Sequence, residues 1–228
     1  MITHLACIMD GNRRWAQERG LHPWEGHQYG AKALQKVVQF CLEQNIAILS
    51  IYALSMQNLK RTEQEVSFLF SLFIAEANSL KSFLHKQNIC VRFKGEKNAW
   101  PQDVFNTFEV LEKETSSYTR MQLNILICYG AQEEIVAATK KIALQVKEGT
   151  MSIESITKDT FAAQLWVYES PPDLIIRTGK EFRLSNFLLY QSAYSELYFL
   201  DLYWPDITKE HLQDAFAWFM QRKRRFGV

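Results

Sequence analysis

The chain has 228 residues, of which 47% are hydrophobic and 22% are charged, and its formal net charge is +1. That length and apolar content allow one sizeable α/β domain with a full core, and the balanced charge gives no electrostatic basis for a nucleic-acid partner. Four widely spaced cysteines without a metal-binding pattern, no stretch long enough to span a membrane and no signal-peptide pattern predict a cytoplasmic protein with free, buried thiols.

Six apolar runs with little alternation predict strands of a parallel sheet that is covered on both faces. They lie at residues 5–9, 47–54, 89–94, 123–128, 174–177 and 197–200. Segments of helical period separate them, at residues 30–45, 63–87, 102–119, 132–148 and 209–225. Alternating strands and helices are typical of βαβ units. The sequence therefore predicts an α/β fold in which residues 1–228 form one domain, with a central, mostly parallel six-stranded sheet flanked by helices.

The first predicted strand runs into the segment Asp10-Gly11-Asn12-Arg13-Arg14-Trp15. Ligands of open α/β sheets bind at the carboxyl ends of strands. At such a place Gly11 lets backbone amides approach an anion closely, and Arg14 supplies a forked donor for phosphate. Asp10 would repel a phosphate unless a cation lay between them, which points to Mg²⁺. The alternative interpretation is a strand cap and turn with solvated arginines.

The histidine in Gly26-His27-Gln28-Tyr29-Gly30 has two interpretations. His27 either makes a structural hydrogen bond at a helix start or takes part in function. The five histidines show no metal-ligand spacing, and the P-loop, dinucleotide-binding and nucleophile-elbow patterns are absent. The sequence therefore disfavours P-loop nucleotide chemistry.

The segment from Glu63 to Gln87 predicts a helix about 37 Å long. Thr62 and Glu65 have the spacing of a capping box, which marks the start of this helix. Its apolar residues, among them Phe68, Phe70, Phe73 and Phe83, cover more than one face. Two interpretations follow: the helix is buried between the sheet and a neighbour, or one of its faces lines a long apolar cavity for a lipid-like ligand.

A second phosphate-binding candidate follows the fifth predicted strand. Arg177, Arg183 and Ser185 can together hold a diphosphate by charge-assisted bonds, and residues 186–191 have a helix-like pattern. A strand, a glycine turn and a helix start form an anion site at a sheet edge. The alternative is a basic surface loop. The Asp10 segment weakens this alternative, because one ligand with two phosphate groups, or two phosphorylated ligands, would need both segments.

These segments, in this order, resemble the cis-prenyltransferase family, and the resemblance runs nearly end to end. It implies the α/β fold above with an apolar product tunnel between the sheet and long helices, and a homodimer. It also implies repeated condensation of isopentenyl diphosphate onto an allylic diphosphate, usually farnesyl diphosphate, with cis double bonds and undecaprenyl diphosphate as the product, a lipid carrier for the cell wall. The matching residues are His4 and most positions of the segments 8–16, 26–30, 52–61, 65–66, 124–130, 173–188, 194–199, 204–205 and 224–227.

The resemblance also implies residue roles. Asp10 would be the essential carboxylate that holds Mg²⁺, with Glu196 assisting. Asn58 and Ser55 would orient the condensing carbon or the leaving proton. Gly11, Asn12 and Arg14 would cradle the allylic diphosphate with help from His27, and Arg13, Trp15 and Arg61 are further expected substrate-binding residues. Isopentenyl diphosphate would bind to Arg177, Arg183 and Ser185, together with Arg224, Arg225 and Gly227 from the tail of the partner subunit.

The chain departs from the family pattern at several positions. Arg13 and Lys180 stand where glycines are usual, and Pro23 replaces an arginine, so that Arg13 or His22 would have to compensate. None of these changes removes Asp10 or the two arginines of the second segment, so we expect altered kinetics.

Two rival functions remain at this stage. A non-catalytic binding or regulatory subunit of the same fold would lack the acid at position 10, and a phosphatase on a doubly wound sheet would need a nucleophile or paired carboxylates.

The basic C-terminus has three interpretations: a solvated helix end, a contact with the inner face of the membrane, or the tail that reaches the partner subunit.

Overall fold

The computed structural model describes residues 1–223. Six parallel strands form one sheet in the order β3-β4-β2-β1-β5-β6. Their bounds are β1 His4–Ile8, β2 Ile48–Ser55, β3 Ile89–Lys94, β4 Met121–Tyr129, β5 Leu174–Arg177 and β6 Glu196–Phe199. The predicted six-stranded parallel sheet is therefore confirmed, with strand ends that differ by a few residues.

Helices cover both faces of the sheet. Their bounds are α1 Asn12–Gln17, α2 Gly26–Glu43, α3 Glu63–Gln87, α4 Gln102–Glu114, α5 Ala131–Lys147, α6 Lys158–Ala162 and α7 Lys209–Met220. The bounds of α3 match the prediction, because Thr62 Oγ1 accepts a hydrogen bond from the backbone N–H of Glu65 and caps the helix start. Among these helices, none combines the length and the apolar composition that crossing a bilayer requires.

Strand alternation separates two cores. Leu5 and Cys7 of β1 face the layer of α2, α3, α4 and α7, whereas Ala6 and Ile8 face the opposite layer. All four cysteines are buried and free, as predicted. The sheet is thus covered on both sides, and its carboxyl edge, where β1, β2 and β5 end, remains for a site.

The helix predicted at residues 186–191 is wrong. Ser185, Asn186 and Leu188 have φ values of 51°, 65° and 45°, in the left-handed region. A right-handed helix cannot pass through such residues, so the segment after Ser185 folds as a series of turns. The helix predicted to reach residue 119 ends at Glu114, and the short helix α1 was not predicted at all.

Candidate active site

A cavity of about 560 Å³ opens at the carboxyl edge of the sheet and extends between the sheet and helices α2, α3 and α4. Its mouth is polar and its interior apolar. The mouth is lined by Asp10, Gly11, Asn12, Arg13, Arg14, His27, Ser55, Asn58, Arg61, Arg177 and Ser185. The interior is lined by side chains such as Leu34, Phe73, Leu80, Phe93, Leu111 and Leu123. The structure thus brings together most of the predicted site residues at the entrance of an apolar tunnel.

Asp10 joins the two predicted phosphate-binding segments. Its Oδ2 accepts a hydrogen bond from Arg177 Nη2 at 2.9 Å, and its Oδ1 accepts one from Arg14 Nη2 at 3.3 Å. The carboxylate keeps 30% of its side-chain surface exposed. Arg14 also lies 3.4 Å from Glu181, which pairs with Arg183. Both segments therefore contribute to a single, continuous polar mouth.

Arg177, at the end of β5, is almost completely buried and closely held. Its Nη1 donates to the carbonyl oxygen of Arg183 and to Ser185 Oγ, the latter at 2.8 Å. Its buried Nε has no hydrogen-bond partner within residues 1–223. Because buried polar groups are normally paired, the unpaired Nε makes Arg177, which lines the mouth, a candidate ligand-binding residue.

Two positions in these segments need unusual backbone conformations. Gly179 has a φ of 89°, and a Cβ atom there would lie 2.8 Å from Asp10 Cγ, so a side chain would displace the carboxylate. Lys180, where the family pattern has a glycine, has a φ of 61°. The lysine therefore occupies the left-handed conformation that a glycine adopts with less strain.

Gly11 is explained by packing as much as by anion binding. It has a φ of 104°, and a Cβ atom there would meet Tyr203 Cδ1 at 2.5 Å. The glycine thus allows Tyr203 to pack against the strand end, while the chain turns into α1.

His27 and Asn12 both line the cavity, and each has one buried side-chain atom without a partner among the described residues. His27 Nε2 and Asn12 Oδ1 have no hydrogen-bond partner in the described part of the chain. Burial, reinforced by the charges of Arg61 and Arg13, lowers the pKa of His27 to about 4. The structural hydrogen bond considered for His27 is thus not made by Nε2, and the unpaired atom favours a role in ligand binding.

Glu65 pairs with two arginines of the mouth. Its side chain is 4% exposed, and Oε1 lies 3.0 Å from Arg61 Nη1 and 3.4 Å from Arg13 Nε. The sequence placed Glu65 in a capping box and both Glu65 and Glu181 in the segments that resemble the family, but it gave neither a role in the site, although each pairs with two arginines. The signal that could have found them is the excess of arginines over acids in the motifs, since clustered cations need counter-ions.

Ser55 and Asn58 bond to each other at the end of β2. The backbone N–H of Ser55 donates to Asn58 Oδ1 at 3.2 Å, and that of Asn58 donates to Ser55 Oγ at 3.1 Å. These bonds cap the short turn Met56–Lys60. Both side chains line the cavity mouth, and Asn58 Nδ2 is the group left to contact a substrate.

Three predicted residues lie away from the cavity wall. Trp15 is buried and donates from Nε1 to Asp206 Oδ1 at 2.6 Å. His22 stacks on Trp24 with ring centroids 4.8 Å apart, which leaves Arg13 to compensate for the arginine replaced at Pro23. Arg183 is 58% exposed and contacts Glu181, at the rim of the mouth.

Glu196 lies at the wrong end of the sheet to assist Asp10 within one chain. Strand register aligns Glu196 with Leu174 and Leu174 with Leu5. Asp10 follows five residues further along, about 16 Å at the rise of a strand. Glu196 instead accepts a hydrogen bond from Arg222 Nε at 3.2 Å. Within one chain, strand register therefore keeps Glu196 away from Asp10, and its assistance with Mg²⁺ stays a prediction.

The predicted tail residues Arg224, Arg225 and Gly227 lie outside the described residues.

With this geometry in place, the chain can be compared with known proteins. The family model described as "Putative undecaprenyl diphosphate synthase" matches residues 8–227. The chain belongs to the cis-prenyltransferase family. It is a prenyl transferase by this membership, and its relatives include enzymes of archaea, bacteria and plants.

Two relatives and one solved structure illustrate the range of this family. The chain is 44% identical to a geranylgeranyl-diphosphate-specific tritrans,polycis-undecaprenyl-diphosphate synthase of Methanopyrus kandleri, over 98% of the chain and 84% of the relative. It is 42% identical to a (2E,6E)-farnesyl-diphosphate-specific ditrans,polycis-undecaprenyl-diphosphate synthase of Haemophilus ducreyi, over 100% of the chain and 94% of the relative. The fold of this cis-prenyltransferase superposes on lavandulyl diphosphate synthase from Lavandula x intermedia, in complex with dimethylallyl diphosphate, with a TM-score of 0.96 and 34% identity over 100% and 98% of the two chains. Relatives thus differ in starter and product, and membership alone does not select between them.

Proposed function

We propose that this cis-prenyltransferase condenses isopentenyl diphosphate repeatedly onto farnesyl diphosphate and forms a long-chain polyprenyl diphosphate, undecaprenyl diphosphate, for cell-wall lipid carrier synthesis. The observation that carries the proposal is the position of Asp10 between Arg14 and Arg177, at the mouth of an apolar cavity. A non-catalytic subunit of the same fold has no need of this acid. Repeated condensation needs a charged entrance for diphosphates and an apolar interior for the growing chain, and the cavity has both.

The allylic diphosphate is assigned to the α1 side of the mouth. Arg14 and Arg13 supply positive charge there, His27 supplies an unpaired ring nitrogen, Asn12 lines the wall, and Arg61 completes the rim. The neutral His27 can donate an N–H to a phosphate oxygen. In this orientation the hydrocarbon tail lies in the apolar interior.

Isopentenyl diphosphate is assigned to the β5 side. Arg177 offers its unpaired Nε, and Arg183 and Ser185 flank it. The tail residues Arg224, Arg225 and Gly227 of a partner subunit are proposed to complete this half of the mouth in a homodimer. Asn58 and Ser55, at the end of β2, are assigned to orient the reacting carbon.

Asp10 fits a Mg²⁺ ion shared with a diphosphate. Its carboxylate is partly exposed at the mouth, and among residues 1–223 no three acidic, histidine or cysteine side chains form a metal cage. One carboxylate with phosphate oxygens and water is a coordination that Mg²⁺ accepts. When bound, the ion would supply positive charge that stabilises the departing diphosphate.

The condensation replaces the allylic carbon–oxygen bond by a carbon–carbon bond, and negative charge develops on the departing diphosphate. The allylic carbon–oxygen bond breaks and the diphosphate leaves, the terminal carbon of isopentenyl diphosphate bonds to the allylic carbon, and loss of a proton forms the new cis double bond. Arg14 and Arg177 fix the Asp10 carboxylate, and Arg14, on the α1 side, lies where negative charge develops on the leaving group. Preorganised charges of this kind lower the barrier without reorganisation at the moment of reaction.

The proposal includes a cytoplasmic location with peripheral contact at the inner face of the membrane, where the apolar product must go. The basic residues at the end of the chain would favour an anionic surface.

Incubation of the purified full chain with labelled isopentenyl diphosphate tests the proposed function. We expect label in long polyprenyl products only when Mg²⁺ and an allylic starter are present, with farnesyl diphosphate used better than geranylgeranyl diphosphate. Chromatography against polyprenyl standards sizes the products. Absence of incorporation with every starter would contradict the proposal, and preference for geranylgeranyl diphosphate would correct the starter.

A further inference from the structure

One acidic residue lies in the apolar part of the tunnel. Glu76 lines the cavity on α3 together with Leu72, Phe73 and Leu80, which share its helix face. Among the cavity-lining residues that the structure describes, Glu76 is the one ionisable residue beyond the mouth. A carboxylate in the wall of a tunnel for hydrocarbon chains needs a physical explanation, because the neighbouring wall positions on the same helix face are apolar.

The Glu76 carboxylate has no close partner. Within residues 1–223 it makes no hydrogen bond and no ion pair, and it is half-buried. Burial raises its pKa, and the charge of Lys32 on α2 opposes this effect from a distance. The Lys32 ammonium lies over the ring of Tyr29, 5.4 Å from its centroid. Glu76 therefore depends on water for solvation, and a chain that displaced this water would leave the charge unpaired.

The depth of Glu76 corresponds to a definite chain length. Glu65 marks the mouth through its pairs with Arg13 and Arg61. Glu76 follows eleven residues later on the same helix, about 16 Å deeper at 1.5 Å per residue. Three backbone bonds of an extended chain span about 3.5 Å, so the four-bond repeat of a prenyl chain spans roughly 5 Å. A chain of three to four units therefore ends beside Glu76.

We propose that Glu76 is a chain-length-determining residue, whose carboxylate opposes passage of the growing hydrocarbon beyond three to four prenyl units. Elongation slows at this depth, and intermediates of four to five units accumulate before longer products form. The inference rests on the proposed function, since it concerns the chain that the enzyme extends. It assigns the pause to one side chain in the middle of α3.

Product analysis of two substitutions tests the role of Glu76. Glu76→Leu replaces the carboxylate by an apolar side chain of similar size, and Glu76→Gln removes the charge while keeping the shape. We expect the fraction of four- to five-unit products to fall at least threefold in Glu76→Leu and by less in Glu76→Gln. The matched control is Ser79→Leu, which adds the same apolar side chain to an exposed position of α3 outside the cavity lining. It should leave the distribution unchanged.

A binding measurement separates this inference from the proposed function. Calorimetry on the full chain gives dissociation constants for allylic diphosphates of two, three and four prenyl units, without any turnover. In the unmodified protein we expect the fourth unit to improve affinity less than twofold, and in Glu76→Leu at least fivefold. An equal gain in both proteins, or product distributions in folded Glu76→Leu and Glu76→Gln that match that of the unmodified protein, would overturn the inference. A protein that makes no product but shows the predicted affinity difference would instead refute the proposed function alone.

Discussion

Arg177 Nη2 and Asp10 Oδ2 lie 2.9 Å apart, and this pair connects the two halves of the polar mouth. Arg177 ends β5 and Asp10 follows β1, and these strands are neighbours in the sheet. The two phosphate-binding segments that appear separate in the sequence, 167 residues apart, therefore share one carboxylate. We therefore expect a substitution on the β5 side to change the binding of both substrates when the substituted residue contacts Asp10, and mainly that of isopentenyl diphosphate when it does not.

The first prediction separates Arg183 from Arg177. Arg183→Ala should raise the KM for isopentenyl diphosphate about tenfold or more, because it removes a charge-assisted contact worth roughly 1.5 to 3 kcal/mol, and should leave the KM for farnesyl diphosphate nearly unchanged. Arg177→Ala should raise the same KM and also lower kcat, because Asp10 loses its buried partner. Steady-state kinetics with each substrate varied in turn provide the measurement. Equal losses of affinity for both substrates in Arg183→Ala would refute the division into two half-sites.

The second prediction concerns Glu65, whose side chain is 4% exposed and pairs with Arg61 and Arg13. Glu65→Gln should raise the KM for the allylic substrate roughly tenfold, because two arginines of the mouth lose their shared counter-ion. Glu63→Gln, at an exposed position in the first turn of the same helix, is the matched control. If both variants bound farnesyl diphosphate alike, Glu65 would have a structural role only.

The third prediction is a pH dependence of stability caused by His27. Its pKa in the folded protein, about 4, lies below the usual value of 6.5. Between these values the unfolded chain binds more protons, so stability falls as the pH drops from 7 towards 4. The decrease in Tm between pH 7 and pH 5 should be smaller in His27→Gln than in the unmodified protein. The exposed His22 supplies the control substitution, His22→Gln, which should leave the slope as it is.

Much of the fold follows from the sequence because its signals are local. Continuous apolar runs mark every strand, and the Thr62 cap marks the start of α3. The end of the helix predicted for residues 102–119 depends on a distant contact. Thr115 Oγ1 accepts from the N–H of Val91 in β3, and the helix ends there.

In the candidate site too, local sequence signals could be predicted and contacts between distant segments could not. Asp10, Arg14 and Arg177 could be predicted because each follows or ends a strand at the carboxyl edge. The left-handed turn at Asn186 could not, because it depends on contacts with the start of α5: the backbone N–H of Gln132 donates to Asn186 Oδ1, and Asn186 Nδ2 donates to Glu133. The separation of Glu196 from Asp10 within one chain could not be read from the sequence for a similar reason, since strand register is a property of the assembled sheet.

The fourth prediction concerns the aromatic residues of α3. Of the four phenylalanines that suggested a tunnel wall, Phe73 lines the cavity, while Phe68, Phe70 and Phe83 are not among its lining residues. Phe73→Ala should therefore shift the product-length distribution, and Phe68→Ala, which also removes a partly exposed ring from α3, should not. Chromatographic sizing of the products distinguishes these cases. A shift in Phe68→Ala of the same size would show that general loosening of the helix, rather than the tunnel wall, controls chain length.

The central claim is that prenyl transfer depends on the Asp10 carboxylate, and the turnover of Asp10→Ala tests it most directly. Incorporation of labelled isopentenyl diphosphate should fall about a thousandfold, which corresponds to roughly 4 kcal/mol of lost transition-state stabilisation. The variant should keep its fold, checked by circular dichroism, and its Tm should fall only to the extent that the buried Arg177 loses its carboxylate partner. Asp201→Ala, which removes a carboxylate 87% exposed outside the cavity lining, should keep full activity. An Asp10→Ala variant that retains a tenth of the original kcat would contradict the account.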